Sequence, residues 1–326
     1  MRFFPLSELP VELVLEILRL AALPALHGPA QSRSNLSKAP ALAYTNACTL
    51  ALVSHRVREA IMPYLLHTVV FSSQKSLNLF LRTLRQQQQW AAQYSTLSID
   101  YARHIRRIWS TECHEPIVNQ STDRYQDYSL LYPIFTKAYD IGLNVQATHL
   151  LFEALNHPNL YSNRAPAWNC KRLTIAGDNL RWNALITTAP GHTFLRQLTH
   201  LTIWSVATSI EAHAPSGIPD WVYKVPLEFM PNLTHFAFSL DVLCPGSLAM
   251  PILVYALPEE TRGIEPGGMA FRRWLQSSIP LDSDAFIRYL DLHELVISRN
   301  VCWETAFLRG DNNVWVQKPA RRTRRA

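Results

Sequence analysis

The sequence predicts an α/β chain in which a helical head precedes an irregular β/α solenoid. Three observations predict it. Leu9–Leu18 reads as a helix that is apolar on nearly every side, one apolar spacing recurs five times further on, and helical segments fall between the recurrences. With 326 residues, 48% of them hydrophobic and 17% charged, the chain is long enough for about two domains and rich enough in apolar residues to pack.

Pro10 suits the first turn of a helix, where its missing N–H is not needed. Behind it Glu12, Glu16 and Arg19 share one narrow stripe, while Val11, Leu13, Val14, Leu15, Ile17, Leu18 and Leu20 occupy the rest of the cylinder. Such a helix needs cover on more than one face: its own chain on one side, and a second layer or a partner on the other. Residues 21–45, with Pro24, Gly28, Pro29 and Pro40, read as a long loop insertion. A second helix is expected from Asn46, a good N-cap, to just before Pro63, with Leu50, Val53, Val57, Ala60 and Ile61 as its apolar stripe. Val69–Phe71 then reads as a strand, and Ser76–Gln89 as a helix ending in a solvated four-glutamine run.

From there the repeat emerges. Tyr94/Leu97/Ile99, Cys170/Leu173/Ile175, Leu198/Leu201/Ile203, Leu233/Phe236/Phe238 and Leu292/Leu295/Ile297 share the spacing i, i+3, i+5. This is the L-x-x-L-x-L strand of a leucine-rich repeat. Asp178, Asp241 and Asn300 stand three residues beyond three of the copies, where a side-chain amide or carboxylate can bond backbone in the turn. The stretch around Ile141, Leu143 and Val145 reads as a degenerate copy, and 130–138, 147–156 and 269–278 as intervening helices. The expected result is one mostly parallel sheet carrying 97–99, 173–175, 201–203, 236–238 and 295–297.

Two stretches together resemble a known motif. Leu9-Pro-Val-Glu-Leu-Val-Leu-Glu-Ile-Leu18 is similar to the opening of an F-box, and Ala51-Leu-Val-Ser-His-Arg-Val-Arg58 to its second half, although residues 21–45 separate the two and no tryptophan follows Arg56. The wider sequence resembles the F-box-like, leucine-rich-repeat-like proteins abundant in mushroom-forming fungi. That resemblance implies a substrate adaptor in ubiquitin-mediated protein degradation. The head would dock on a Skp1-type subunit of a cullin ubiquitin ligase through Leu9, Pro10, Leu13, Ile17, Leu52, Val53, Arg56 and Val57, and the body would present an unknown protein target. The alternative is a stand-alone recognition scaffold whose head only caps the solenoid. The domains implied are a head over 1–68, a body over 69–317 and a basic tail over 318–326.

Chemistry is sparse. There is no GxSxG, GxGxxG, GxxxxGK[ST] or HExxH, so no enzyme and no cofactor is expected. Glu112-Cys113-His114-Glu115 gathers ligand-type residues, but neighbours point apart, and no metal is expected there. His200 and His235 hold the same place in two repeats and are candidate target contacts on a polar strand face. Trp109, Trp182, Trp204 and Trp303 follow strand-like segments and read as core caps before interface anchors. Asp282 and Asp284 read as helix-capping carboxylates.

Formal charge is +6, yet Lys318, Arg321, Arg322, Arg324 and Arg325 supply five of those charges, which leaves +1 for all the rest. The body is therefore no phosphate-binding surface by charge, and nucleic acid is expected at most as a nonspecific contact of the tail, which also fits an import signal. Five scattered cysteines without a CxxC pair, Glu8 and Glu12 interrupting any leader, and no long apolar run point to reduced thiols in the cytoplasm or nucleus, away from membranes.

Overall fold

Helix α1 (Val11–Ala22) opens the fold in the computed structural model, which describes residues 8–22, 44–111, 113, 128–156, 168–177, 181–204, 222, 224–239, 249–256, 286–291 and 307–308. The Pro10 carbonyl accepts from the Leu13 and Val14 amides at 3.0 and 3.2 Å, so the first turn starts where proline favours it. Val14, Leu18 and Ala22, spaced four apart, turn inward onto Ala47, Leu50, Val57 and Ile61. The single helix expected over 46–62 is instead two, α2 (Thr45–Ala51) and α3 (His55–His67). The chain breaks at Ser54, which is extended (φ −161°, ψ 164°) and accepts from the Val57 amide through its hydroxyl. Serine caps a helix better than it sits inside one. Pro63 does not end α3. It forfeits one intrahelical bond, but Ile61, Met62 and Leu66 on its flanks are buried, and that burial outweighs the loss.

Strand β1 (Thr68–Phe71) follows α3 directly, and α4 (Gln74–Ala92) begins at a reciprocal Ser73–Ser76 capping box. Leu77, Leu81 and Leu84 are buried along it, and Phe80, also expected to face inward, is half-buried against the same core. One glutamine of the run is not solvated. Gln87 is buried and its Oε1 accepts from the Ile99 amide at 2.7 Å. That bond explains why 97–99 is not a strand: the segment is pinned against α4, with its amide spent on a side chain. The chain then makes α5 (Tyr101–His104), capped by Asp100, and only afterwards β2 (Arg107–Ser110).

The alternation continues with α6 (Tyr132–Lys137), β3 (Asp140–Asn144), α7 (Thr148–Leu155) and β4 (Arg172–Ala176). Next come α8 (Asn183–Ile186), α9 (Ala189–Arg196), β5 (His200–Trp204), β6 (His235–Ser239), β7 (Ala249–Ala256) and β8 (Phe286–Asp291). The eight strands among the described residues form one sheet in sequence order. The first six are parallel, whereas β7 and β8 are antiparallel to their neighbours, a reversal the repeat spacing did not foretell. Residues 173–175, 201–203 and 236–238 fall in β4, β5 and β6 as expected, and the copy around Ile141 is β3. Residues 269–278 and 295–297 lie outside the described residues.

The register exposes a frame more regular than the sequence suggested. Val69, Ile108, Ile141, Leu173, Leu201 and Phe236 are consecutive Cα partners across six strands. Three residues before each stands a buried residue: Leu66, Ile105, Ala138, Cys170, Leu198 and Leu233. Successive framed strands are thus 39, 33, 32, 28 and 35 residues apart, and within the widest gap the frame falls at Ile105 and Ala138 rather than at Tyr94. The same joint recurs between copies. The Arg106 carbonyl accepts from the Tyr139 and Asp140 amides, Tyr139 from Lys171 and Arg172, Lys171 from Thr199 and His200, and Thr199 from Thr234 and His235, all at 2.8–3.2 Å. One sheet face, with Ile108, Ile141, Leu143, Leu173, Ile175, Leu201, Ile203 and Phe236, packs into the main core with the helices.

Candidate functional site

Two surfaces carry the candidate residues. The first is on the head. With Val14, Leu18 and Ala22 turned inward, Leu13, Ile17 and Leu20 fall at i, i+4 and i+7 on an outer flank of α1. Leu13 is 52% and Ile17 43% exposed. At the α2–α3 turn Leu52 is 86% and Val53 66% exposed. Pro10 and Arg56 are exposed and Leu9 is half-buried. Val57 is half-buried and packs into the small head core, so it belongs to the hinge between helices rather than to the outer surface. The polar edge is closed by Glu16 and Arg19, whose Nε donates to Oε2 at 2.7 Å and holds the Glu16 carboxyl below its usual range. Helix α3 fastens the head to the body. Its Met62 and Leu66 lie in the main core, Leu65 packs on both cores, and the Tyr44 hydroxyl donates to the Thr68 carbonyl at 3.2 Å. Burial pushes the Tyr44 phenol up to about 12.

The second surface is the sheet face turned away from the main core. Its first row, read across consecutive strands, is Thr68, Arg107, Asp140, Arg172, His200 and His235. Arg107 Nε pairs with Asp140 Oδ2 at 3.1 Å, and the Arg172 guanidinium stands 5.4 Å from the Tyr139 ring centre. His200 and His235 are Cα partners on adjacent strands. Their rings stack at 4.4 Å with 4° between planes. Each Nδ1 meets the hydroxyl of the threonine before it, Thr199 at 2.8 Å and Thr234 at 2.7 Å. His200 is pushed down to about 3, first by burial and then by the neighbouring His235 and Arg172.

The next rows of that face are aromatic. Trp109 and Trp204 are buried, their ring centres 5.8 Å apart although two strands lie between them. The strand positions between are Gly142 and Thr174 in one row and Asn144 and Ala176 in the next, and the missing side chain at Gly142 gives the Trp109 ring its room. Phe307, from the far end of the chain, completes the cluster at 5.2 Å from Trp109. Arg107 lies 4.4 Å over its ring and donates from Nη2 to its carbonyl oxygen. The tryptophans at 109, 182 and 204 are therefore packed inside and not free anchors. Of the Glu112–Glu115 stretch only Cys113 is described; it is buried, with Sγ 3.3 Å from Ser110 Oγ, and burial pushes its thiol up. Asp178, Asp241, Asn300, Trp303, Asp282 and Asp284 lie outside the described residues.

Sequence reasoning missed Arg107, Asp140, Gly142 and Phe307. The signal for the first pair was a basic and an acidic residue at the same place in two copies, legible only once those copies are framed correctly. Among the described residues no helix is long and apolar enough to cross a membrane, and no cluster of three or more His, Cys, Asp or Glu is placed to hold a metal ion. Comparison with protein families, curated proteins and solved structures finds no match to this chain.

Proposed function

We propose that this chain is a non-enzymatic adaptor of the F-box kind. Its head docks on a Skp1-type subunit of a ubiquitin ligase, and its repeat-built body, a leucine-rich-repeat-like solenoid, holds a protein target in the cytoplasm or nucleus. The observation that carries this reading is the exposed apolar stripe Leu13–Ile17–Leu20 on α1, with Leu52 and Val53 also exposed at the α2–α3 turn. A soluble monomer keeps such apolar surface small, and a partner that covers it removes the penalty. Held at both ends, the target sits at a raised effective concentration near the transfer machinery, and the adaptor itself makes and breaks no bond.

The test is capture of a purified Skp1-type protein by the chain and by the Leu13→Lys/Ile17→Lys double variant. Two ammonium groups placed in a buried interface are prohibitive, so capture should be abolished. Undiminished capture by the double variant overturns the assignment of the patch. A second reading has its own support: α3 runs straight into the first strand of the sheet and Leu65 joins the two cores, as in a head that only caps a solenoid. Under that reading the parent chain captures nothing.

A further inference from the structure

The sheet face turned away from the helices is where a repeat-built body meets its ligands, and one spot on it is already filled by the chain itself. Phe307 is buried there, 200 residues from the Arg107 that it touches, and Leu308 after it is buried as well. The seat has three parts. Gly142 leaves a notch in the sheet: a Cβ at that position would stand 2.3 Å from Trp109 and 2.8 Å from Phe307, so the missing side chain is what lets both rings lie down. Trp109, with Trp204 behind it, supplies an aromatic wall, and its indole N–H is satisfied by the Thr111 hydroxyl, just past the end of β2, at 3.1 Å. Arg107 supplies the polar grip, with its plane over the Phe307 ring and an N–H on the Phe307 carbonyl. Asp140 holds that guanidinium from the other side at 3.1 Å.

A ring in an aromatic notch and a carbonyl on a half-buried guanidinium are how one residue of an extended peptide is read. The grip takes nothing that only Phe307 offers. Any segment presenting phenylalanine, followed by an aliphatic residue to fill the place of Leu308, meets the same contacts. We infer that the Gly142 notch, walled by Trp109 and clamped by Arg107, is an exchangeable recognition site for a phenylalanine–aliphatic segment of a protein target, occupied in the free chain by its own Phe307–Leu308. This deepens the adaptor reading, on which it rests for the identity of the ligand as a target. Arg172, His200 and His235 continue the same row beyond the notch and give the bound segment a polar path across the sheet.

The experiment uses full-length chains and a fluorescent synthetic peptide copying residues 303–312, with a control peptide that carries alanine in place of its phenylalanine. In the parent chain the tethered segment competes at an effective concentration of order millimolar. Fluorescence anisotropy should therefore show saturable binding to Phe307→Ala at least about tenfold tighter than to the parent, and the control peptide should bind neither. Equal affinity for parent and variant, or indifference to the peptide's phenylalanine, overturns the inference. Should Phe307→Ala fail to fold, Phe307→Leu takes its place. Failure of both to fold also overturns it, because the ring is then an obligatory part of the core. A parent dimer that the peptide converts to monomers assigns the site to a second copy and overturns a target as occupant. Capture of the Skp1-type protein is scored on the same samples, and its absence with peptide binding intact removes the adaptor reading alone.

Discussion

Replacing Gly142 with alanine should destabilise the chain, against the usual sign for that substitution. Elsewhere Gly→Ala in regular backbone stabilises by about 0.4–1 kcal/mol, because the unfolded chain loses freedom. Here the new methyl would lie 2.3 Å from Trp109 Cε3, 2.8 Å from Trp109 Cζ3 and 2.8 Å from Phe307 Cε2, where ordinary contact begins at 3.4 Å. The indole must retreat by more than about an ångström in a packed interior, where such shifts cost about 1–3 kcal/mol. It cannot do so freely, because Nε1 is bonded to Thr111 and the far side of the cluster is Trp204. The net expectation is a loss of about 1–2 kcal/mol, the overpacking cost less the chain-entropy gain. Urea midpoints with unchanged slope measure it, and near-ultraviolet circular dichroism reports the displaced tryptophan. In a Phe307→Ala background the indole gains room, so the cost of Gly142→Ala should shrink by at least about 0.5 kcal/mol, the signature of directly coupled neighbours. A stabilising Gly142→Ala, or a cost identical in both backgrounds, would refute the geometry of the notch.

Three further outcomes are expected. Gln87→Ala should cost about 1 kcal/mol or more, since the Ile99 amide loses its acceptor, whereas Gln88→Ala one residue along should stay within about 0.5 kcal/mol; equal urea midpoints would show that water replaces the glutamine. Leu18→Ala should cost about 2–3 kcal/mol in thermal unfolding, and Leu13→Ala almost nothing, because only the former is buried; equal losses would place Leu13 in the core. Stability should fall as pH drops below about 6.5 towards 3, because the unfolded chain takes up a proton there that His200, pushed down to about 3, refuses in the fold. His67 and His104, also pushed down by burial, act with the same sign. His200→Gln should therefore flatten, without abolishing, the pH dependence of the urea midpoint, and an unchanged slope would refute the assignment.

The parallel strands from β4 to β6 were legible because each carries bulky apolar residues at all three framing positions: Cys170, Leu173 and Ile175, then Leu198, Leu201 and Ile203, then Leu233, Phe236 and Phe238. Of the earlier strands, Val69–Phe71 and the stretch around Ile141 were legible as such but not in the common frame, and Arg107–Ser110 was not legible, because their framing residues are poor. Ala138 is small, Ser110 is polar, and Tyr94/Leu97/Ile99 imitates the spacing by chance while its backbone is spent on Gln87. Spacing alone does not distinguish a strand from a turn, because a sequence can place apolar side chains at i and i+3 in either, and here Tyr94 and Leu97 are exposed. What separates them is where the amides go, a tertiary fact. Strand β7, an almost continuous apolar run from Ala249 to Ala256, carried a strand signal that the search for one spacing passed over, and its antiparallel sense is set by neighbours rather than by composition.

The two candidate surfaces differ in how far a sequence can announce them. The head patch follows from arithmetic on one helix: seven apolar residues round three polar ones exceed what one buried stripe can absorb, so some must stay outside whatever the fold. The notch follows from nothing local. Gly142 in a strand reads as a weakness, Trp109 as a core cap, Arg107 as a surface charge and Phe307 as one apolar residue near a basic tail. Their meaning lies in the register that sets Trp109 directly against Gly142 and in a contact that joins the two ends of the chain. A glycine there is a defect in an isolated strand and a seat in the assembled sheet. The same logic applies to Asp140: a carboxylate buried in a sheet costs free energy until the arginines at the neighbouring strand positions are in place, and then it holds Arg107 at the angle that grips a passing carbonyl.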